Sequence, residues 1–307
     1  MKQAAGLSVG VDLGGTKIEI AALDGDGDIL LRSRTPTPSG YRETIAAVAE
    51  LVAQVEKEAG PAAHVGVGIP GSLSPRTGLV RNANHLCLNG RRFQDDLSRG
   101  LNRPVLVAND ANCLALSEAM DGAGAGAETV LAIILGTGCG GGVVVDGAVL
   151  RGANGIAGEW GHNPLPNPTP DESPGPGCWC GRRNCVETWI AGSGLERCYR
   201  ERTGQALTAE QIVGAMRRGE QVASELFDRW VERVSRSLST VINILDPQVI
   251  VVGGGLANVS ELYSRVPRAL GTHVFADGWT ARVRPAKWGD SSGVRGAAWL
   301  WRGTNLA

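Results

Sequence analysis

Asp12, Gly14, Gly15, Thr16 and Lys17 crowd into six residues near the start of the chain and hold the parts of a phosphate grip. Glycines let backbone N–H groups approach phosphate oxygens closely. Thr16 adds a hydroxyl and Lys17 a compact positive charge. Asp12 suits a magnesium ion, a hard cation that prefers oxygen ligands. The order is not that of a P-loop, whose lysine follows a second glycine ahead of a helix. Gly-Gly taken alone equally marks a hairpin turn. A second candidate is Asn109-Asp110, where the apolar run 104–108 meets a helical pattern over 111–120. Ligands of α/β folds collect at the carboxyl ends of strands. An Asp there either caps the helix or accepts the proton of a substrate hydroxyl in phosphoryl transfer. Glu159 and Glu187, with Asn and His nearby, suit a polyol whose hydroxyls need paired donors and acceptors. Either glutamate alone is equally compatible with a surface charge.

His162 precedes Cys178, Cys180 and Cys185. Three cysteines within eight residues and one histidine upstream can supply a tetrahedral Cys3His zinc site, and a closed four-ligand site is structural. The alternative is reduced, unpaired cysteines in a loop. The C-x-C spacing is tighter than that of zinc fingers. The proline-rich segment 163–177 reads as an irregular loop that such an ion would tie at both ends. Cys87, Cys113, Cys139 and Cys198 show no partner pattern and read as core packing.

These residues sit in an ordinary globular composition. The chain has 307 residues, 43% hydrophobic and 20% charged, with a formal net charge of -1. That length supports two lobes with real cores, and the balanced charge provides no basic field for nucleic acid or anionic membrane. Seven cysteines, an odd and unevenly spaced set, argue against a disulfide framework. No apolar run spans a bilayer, and residues 1–6 lack a signal peptide's hydrophobic core. The expected location is the cytoplasm.

The elements that must position the candidates recur. Strand patterns over 8–12, 17–23 and 29–34 enclose a glycine turn and an Asp-Gly turn. A helix follows with Ile45, Val48, Leu51, Val52 and Val55 on one face. The unit repeats over 129–135, 143–145 and 148–151, around a second glycine turn at 136–142 that includes Thr137, Gly138, Gly140 and Gly141. A later helix is striped by Val222, Leu226, Trp230, Val234, Leu238, Val241 and Leu245. It leads into a buried strand over 249–252 and a third turn carrying Gly254 and Gly255. A repeated supersecondary unit implies two related lobes. The order resembles the two-lobed actin-like ATPase (ribonuclease H-like) α/β fold. That resemblance implies two phosphate-binding turns and a third glycine turn backing the adenosine.

Together the motifs resemble the ROK family (repressors, open reading frames, kinases). Asp12 to Lys17, the second glycine turn, Gly158-Glu159-Trp160-Gly161-His162 and Cys178-x-Cys180-Gly-x3-Cys185 carry the resemblance, which extends over 9–301. Gly68 to Ser72, Ala108 to Cys113, Glu159 to Pro166 and Gly289 to Ala298 look most like bacterial fructokinases of the mannofructokinase type. The resemblance implies ATP- and magnesium-dependent phosphorylation of a hexose, first of all fructose to fructose 6-phosphate, with mannose as a further acceptor. Glucokinase and N-acetylglucosamine kinase activities are the alternatives within the family. It implies Asp110 as general base and Asn84, Asn109, Asp110, Glu159, His162 and Glu187 at the sugar. His162 would use one ring nitrogen for zinc and the other for a sugar hydroxyl. The implied lobes are 1–117 plus 295–307, and 118–294, and related kinases suggest a homodimer. The family's other branch, sugar-responsive repressors, needs a helix-turn-helix domain ahead of the lobes. Only eleven residues precede Asp12.

Overall fold

The computed structural model describes residues 6–302 and divides them into two compact units. One takes the chain up to Gly126, then Gly142–Ala157 and everything from Asp290 onward; the other takes Ala127–Gly141 and Gly158–Gly289.

The first part of the chain forms β1 (Leu7–Leu13), β2 (Lys17–Leu23), β3 (Ile29–Pro36), α1 (Tyr41–Ala59), β4 (Ala62–Ile69), the short pair β5 (Ser72–Leu73) and β6 (Val80–Arg81), α2 (Phe93–Gly100), β7 (Val105–Asn109) and α3 (Asp110–Met120). Five of these strands make a sheet of order β3-β2-β1-β4-β7. The β1–β2–β3 meander is antiparallel, and β4 and β7 add in parallel. The core of this part holds Val9, Val11, Ile18, Ile20, Val65 and Val67, all fully buried. α1 presents Val48, Leu51, Val52 and Val55 to it, as the 3.6-residue spacing requires, and ends at Gly60 with φ 99°.

The chain continues through β8 (Thr129–Leu135), β9 (Cys139–Val145), β10 (Ala148–Val149), α4 (Glu187–Ile190), α5 (Gly192–Thr203), α6 (Ala209–Arg217), α7 (Gln221–Leu245), β11 (Val249–Gly253), α8 (Leu262–Leu270), β12 (Arg282–Pro285) and α9 (Ser292–Trp299). The second sheet has the order β10-β9-β8-β11-β12. Its β11 and β12 also add in parallel, so the expected repetition of the meander extends to both sheets in full.

Two local expectations shift. The glycine turn over 136–142 is shorter, because β9 begins at Cys139. The buried face of α7 is rotated from the expected stripe: Ala223, Phe227, Trp230, Val234, Leu238 and Ile242 are buried, whereas Val222, Leu226, Val241 and Leu245 are only partly so. Between Trp230 and Ser239 only Glu232 stays exposed, because Arg233 and Arg236 are buried as well. α7 stops at Asp246, whose φ of 45° is left-handed, just ahead of Pro247. No helix among the described residues is long and apolar enough to cross a membrane.

Candidate active site

In the first unit, β1 carries Asp12 to its carboxyl end and the chain reverses through Gly14, Gly15 and Thr16 into β2. Gly14 N donates to Lys17 O at 3.0 Å. Thr37 braces the turn from the side: its N donates to Thr16 O at 3.0 Å and its Oγ1 to Gly14 O at 2.8 Å. Gly15, Thr16 and Lys17 are exposed. The Asp12 carboxyl is pushed up to about 7, first by burial and then by the neighbouring Asp110 and Glu19 carboxylates, with Lys17 opposing. Gly293 leaves room beside it, since a Cβ there would lie 2.6 Å from Asp12 Oδ2. A half-buried carboxylate crowded by other carboxylates, with open space at its oxygen, is a donor set that fits a hard divalent cation such as magnesium.

Asn109, the last residue of β7, caps α3: its Oδ1 accepts from Ala111 N at 2.9 Å and Asn112 N at 3.4 Å. Asp110 is therefore the first helical residue rather than the cap, with its Oδ1 2.8 Å from Ala111 N. Asn109 Nδ2 donates to Gly71 O at 3.2 Å and Asn84 N to Pro70 O at 3.0 Å. The Pro70-Gly71 turn thus brings the two asparagines together.

In the second unit, Gly136 N donates to Gly138 O at 3.0 Å to close the other glycine turn, and Ser193 Oγ donates to Thr137 O at 2.9 Å. Gly140 and Gly141 lie inside β9, where Gly140 O accepts from Trp160 Nε1 at 3.0 Å. Gly254 has φ 83°, and a Cβ on it would meet Leu135 O at 2.5 Å, so only glycine fits beside the end of β8. Thr137 and Gly255 share the wall of a cavity of about 800 Å³ with Ser193, Glu196, Thr208 and Arg217. The second and third glycine turns therefore open on one space. Sequence reasoning missed its α5 and α6 residues, which carry no motif.

The 3-10 turn Trp160–His162 follows Glu159, which is exposed and whose carbonyl accepts from His162 N at 3.2 Å. Glu187 opens α4. Its Oε2 accepts from Cys139 N at 2.9 Å, which sets this carboxylate against the glycine turn, and its Oε1 accepts from Trp179 Nε1 at 2.7 Å.

His162, Cys178, Cys180 and Cys185 converge, with their ligand atoms all within 4.8 Å of one another. Cys178 Sγ lies 3.6 Å from His162 Nδ1, and Cys180 Sγ lies 3.6 Å from Cys185 Sγ. The sulfur–sulfur separation approaches the roughly 3.8 Å edge of a tetrahedron built on zinc–sulfur bonds. Burial and hydrogen bonds within the cluster push the Cys185 thiol up to about 12. Three soft sulfurs and an imidazole fit a zinc ion. His162 Nδ1 faces the cluster, which leaves Nε2 as its other polar atom.

The 163–177 segment, unassigned from its sequence, has an anchor. Glu172 is 2% exposed and accepts from Arg233 Nε at 2.7 Å and Arg236 NH2 at 3.0 Å. Arg236 NH1 also donates to Pro166 O at 2.7 Å.

Two mixed sheets of one topology, each opened by a glycine turn at its first strand pair, define an α/β protein of the two-lobed kinase class. The chain belongs to the ROK family, whose model matches residues 8–304. It is 38% identical over 296 residues to an N-acetyl-D-glucosamine kinase of Pectobacterium atrosepticum, covering 95% of this chain and 97% of that one. It is 39% identical over 298 residues to an N-acetyl-D-glucosamine kinase of Haemophilus influenzae, covering 95% and 98%. Among solved structures, the ROK hexokinase of Thermus thermophilus superposes with a TM-score of 0.85 at 35% identity, covering 96% of this chain and 97% of that one. A ROK family glucokinase of Streptomyces griseus, solved with glucose and AMPPNP, gives 0.78 at 30% identity, covering 96% and 99%.

Proposed function

We propose that this chain is an ATP-dependent hexose kinase whose preferred acceptor is N-acetyl-D-glucosamine. Membership in the ROK family and near-complete coverage of sugar kinases support the reaction class. The observation that carries the choice of sugar is the 38–39% identity, over 95% of the chain, to kinases named for it. The sequence motifs alone favoured fructose; the relatives favour the alternative acceptor.

In this reading Asp110 accepts the proton of the attacking sugar hydroxyl. The hydroxyl oxygen bonds to the γ-phosphorus as the bond to the β-phosphate oxygen breaks, releasing ADP. Asn84, Asn109, Glu159, His162 and Glu187 hold the sugar, each able to pair with a hydroxyl or the acetamido group. Gly14 to Lys17 and Thr137 to Gly141 hold phosphates, and Gly254 and Gly255 back the adenosine in the cavity beside α5 and α6. Asp12 would hold magnesium, which supplies charge neutralisation to the phosphates. His162, Cys178, Cys180 and Cys185 would hold a structural zinc that keeps the 159–162 and 178–187 segments in register.

The test is a coupled assay of ADP release with N-acetylglucosamine, fructose, mannose and glucose. The expected outcome is the highest kcat/KM with N-acetylglucosamine. A clear preference for fructose would restore the other acceptor, and no ATP-dependent turnover with any of the four would overturn the kinase assignment.

A further inference from the structure

Trp179 stands between the first two cysteines of the cluster, and 63% of it is exposed. Single exposed aromatics are ordinary; what distinguishes this one is what its indole touches. Nε1 donates to Glu187 Oε1 at 2.7 Å. The ring meets His162 edge-on, with centroids 4.9 Å apart and planes at 83°. Its backbone is tethered on both sides by Cys178 and Cys180, which belong to the convergent set. Glu187 is thereby held from two directions, by a backbone amide at Oε2 and by an indole at Oε1. Each carboxylate oxygen has two lone pairs: Oε2 gives one to the Cys139 amide, and Oε1 accepts from the indole and receives the longer 3.9 Å approach of Cys178 Sγ, which leaves Oε2 a site to accept. The group that meets Glu187 must then be a donor, as a sugar hydroxyl is.

We propose that Trp179 is a positioning residue for the sugar: its N–H fixes the Glu187 carboxylate, and its ring fixes the orientation of His162. This rests on the reading that Glu187 and His162 line the sugar. Cys178 Sγ also approaches both polar residues, His162 Nδ1 at 3.6 Å and Glu187 Oε1 at 3.9 Å, but in a cluster that holds a metal that sulfur is a ligand, so the indole N–H is the donor the C-x-C segment keeps for Glu187. An exposed tryptophan contributes little to the core, so its replacement separates positioning from folding.

The experiment compares wild type, Trp179→Phe, Glu187→Gln and the double variant for sugar KM, ATP KM, kcat, zinc content and melting temperature. Trp179→Phe keeps an aromatic ring and removes only the donor. It is expected to raise the sugar KM about tenfold, the size of one hydrogen bond to a charged group. ATP KM, zinc content and melting temperature stay at wild-type values. The double variant is expected to be no worse than Glu187→Gln, since both changes break one interaction. An unchanged sugar KM in Trp179→Phe, fully additive losses, or a KM rise that merely follows loss of zinc or melting temperature would each overturn the proposal. A wild-type protein inactive on every hexose is a different failure, that of the kinase reading itself, and is read before any variant.

Discussion

At the scale of single residues, the proton acceptor is the sharpest commitment. Asn109 takes the helix cap, which relieves Asp110 of the structural duty its position suggested. Replacing Asp110 by Asn preserves shape and removes the base. Turnover should fall roughly 10²–10⁴-fold while the ATP KM stays near wild type; steady-state kinetics checks both, and near-normal turnover removes Asp110 from the role. The turn that carries Asp12, Gly14, Gly15, Thr16 and Lys17 was legible because its residues are contiguous in sequence. Trp179 was not, since its partner Glu187 lies eight residues away and the contact depends on how the cysteines fold the intervening turn. The same holds for Glu187 against Cys139, 48 residues apart.

At the scale of elements, α7 and the proline-rich segment form one device. The buried stripe of α7 was placed correctly at Trp230, Val234 and Leu238 and missed by one position at Val222, Leu226 and Val241, and hydrophobic periodicity also counted Arg233 and Arg236 as surface. Their stems are buried while their guanidinium groups grip Glu172, over 60 residues upstream. Burial alone would raise the Glu172 carboxyl; hydrogen bonds from Arg233, the Thr169 backbone and Arg236 outweigh it and hold the group below its usual value of 4.5. A depressed folded-state value means the stabilisation is present above about pH 4.5, the unfolded value, and is lost as pH falls through the folded one. Melting temperature should therefore drop on acidification below pH 4.5, and Glu172→Gln should flatten that drop. At neutral pH the variant should lose about 3–5 kcal/mol, the cost of taking the charged partner from buried Arg233 while Arg236 keeps Glu232. Denaturant melts at pH 7 and pH 4 read both effects; an unaltered acid slope in the variant would remove Glu172 from the account. His162 and Cys178 flank the same segment, and a zinc ion held by the cluster would tie both of its ends. One zinc per chain by elemental analysis is expected, and a strong chelator should lower the melting temperature and admit protease within 163–177. A folded protein without zinc, indifferent to chelator, would leave the cysteines as reduced thiols.

At the scale of the whole molecule, the duplicated sheet was the most legible feature, because Gly and Asp-Gly punctuation marks both meanders. The family resemblance implied that the chain returns to the first lobe at 295–307; in the structure the return begins at Asp290, and Gly142–Ala157 joins the first unit too, an excursion the sequence did not mark. That return is made by α9, whose Val294, Ala297, Ala298 and Trp299 are buried with Ala21, Leu23, Cys113 and Leu116. The approach to α3 is backbone to backbone: a Cβ on Gly296 would lie 1.7 Å from Cys113 O. Neither helix can yield there without moving as a body, and α3 begins with Asp110. Gly296→Ala should thus cost more than the helix propensity it adds, which is about 1 kcal/mol in the opposite direction. Overpacking of this kind costs roughly 1–3 kcal/mol or more, so the melting temperature should fall by about 5 °C. Because the displaced helix carries the proposed base, kcat should fall with it while zinc content stays at wild type. A variant with unchanged or raised melting temperature would show that α9 does not close the first unit in this way.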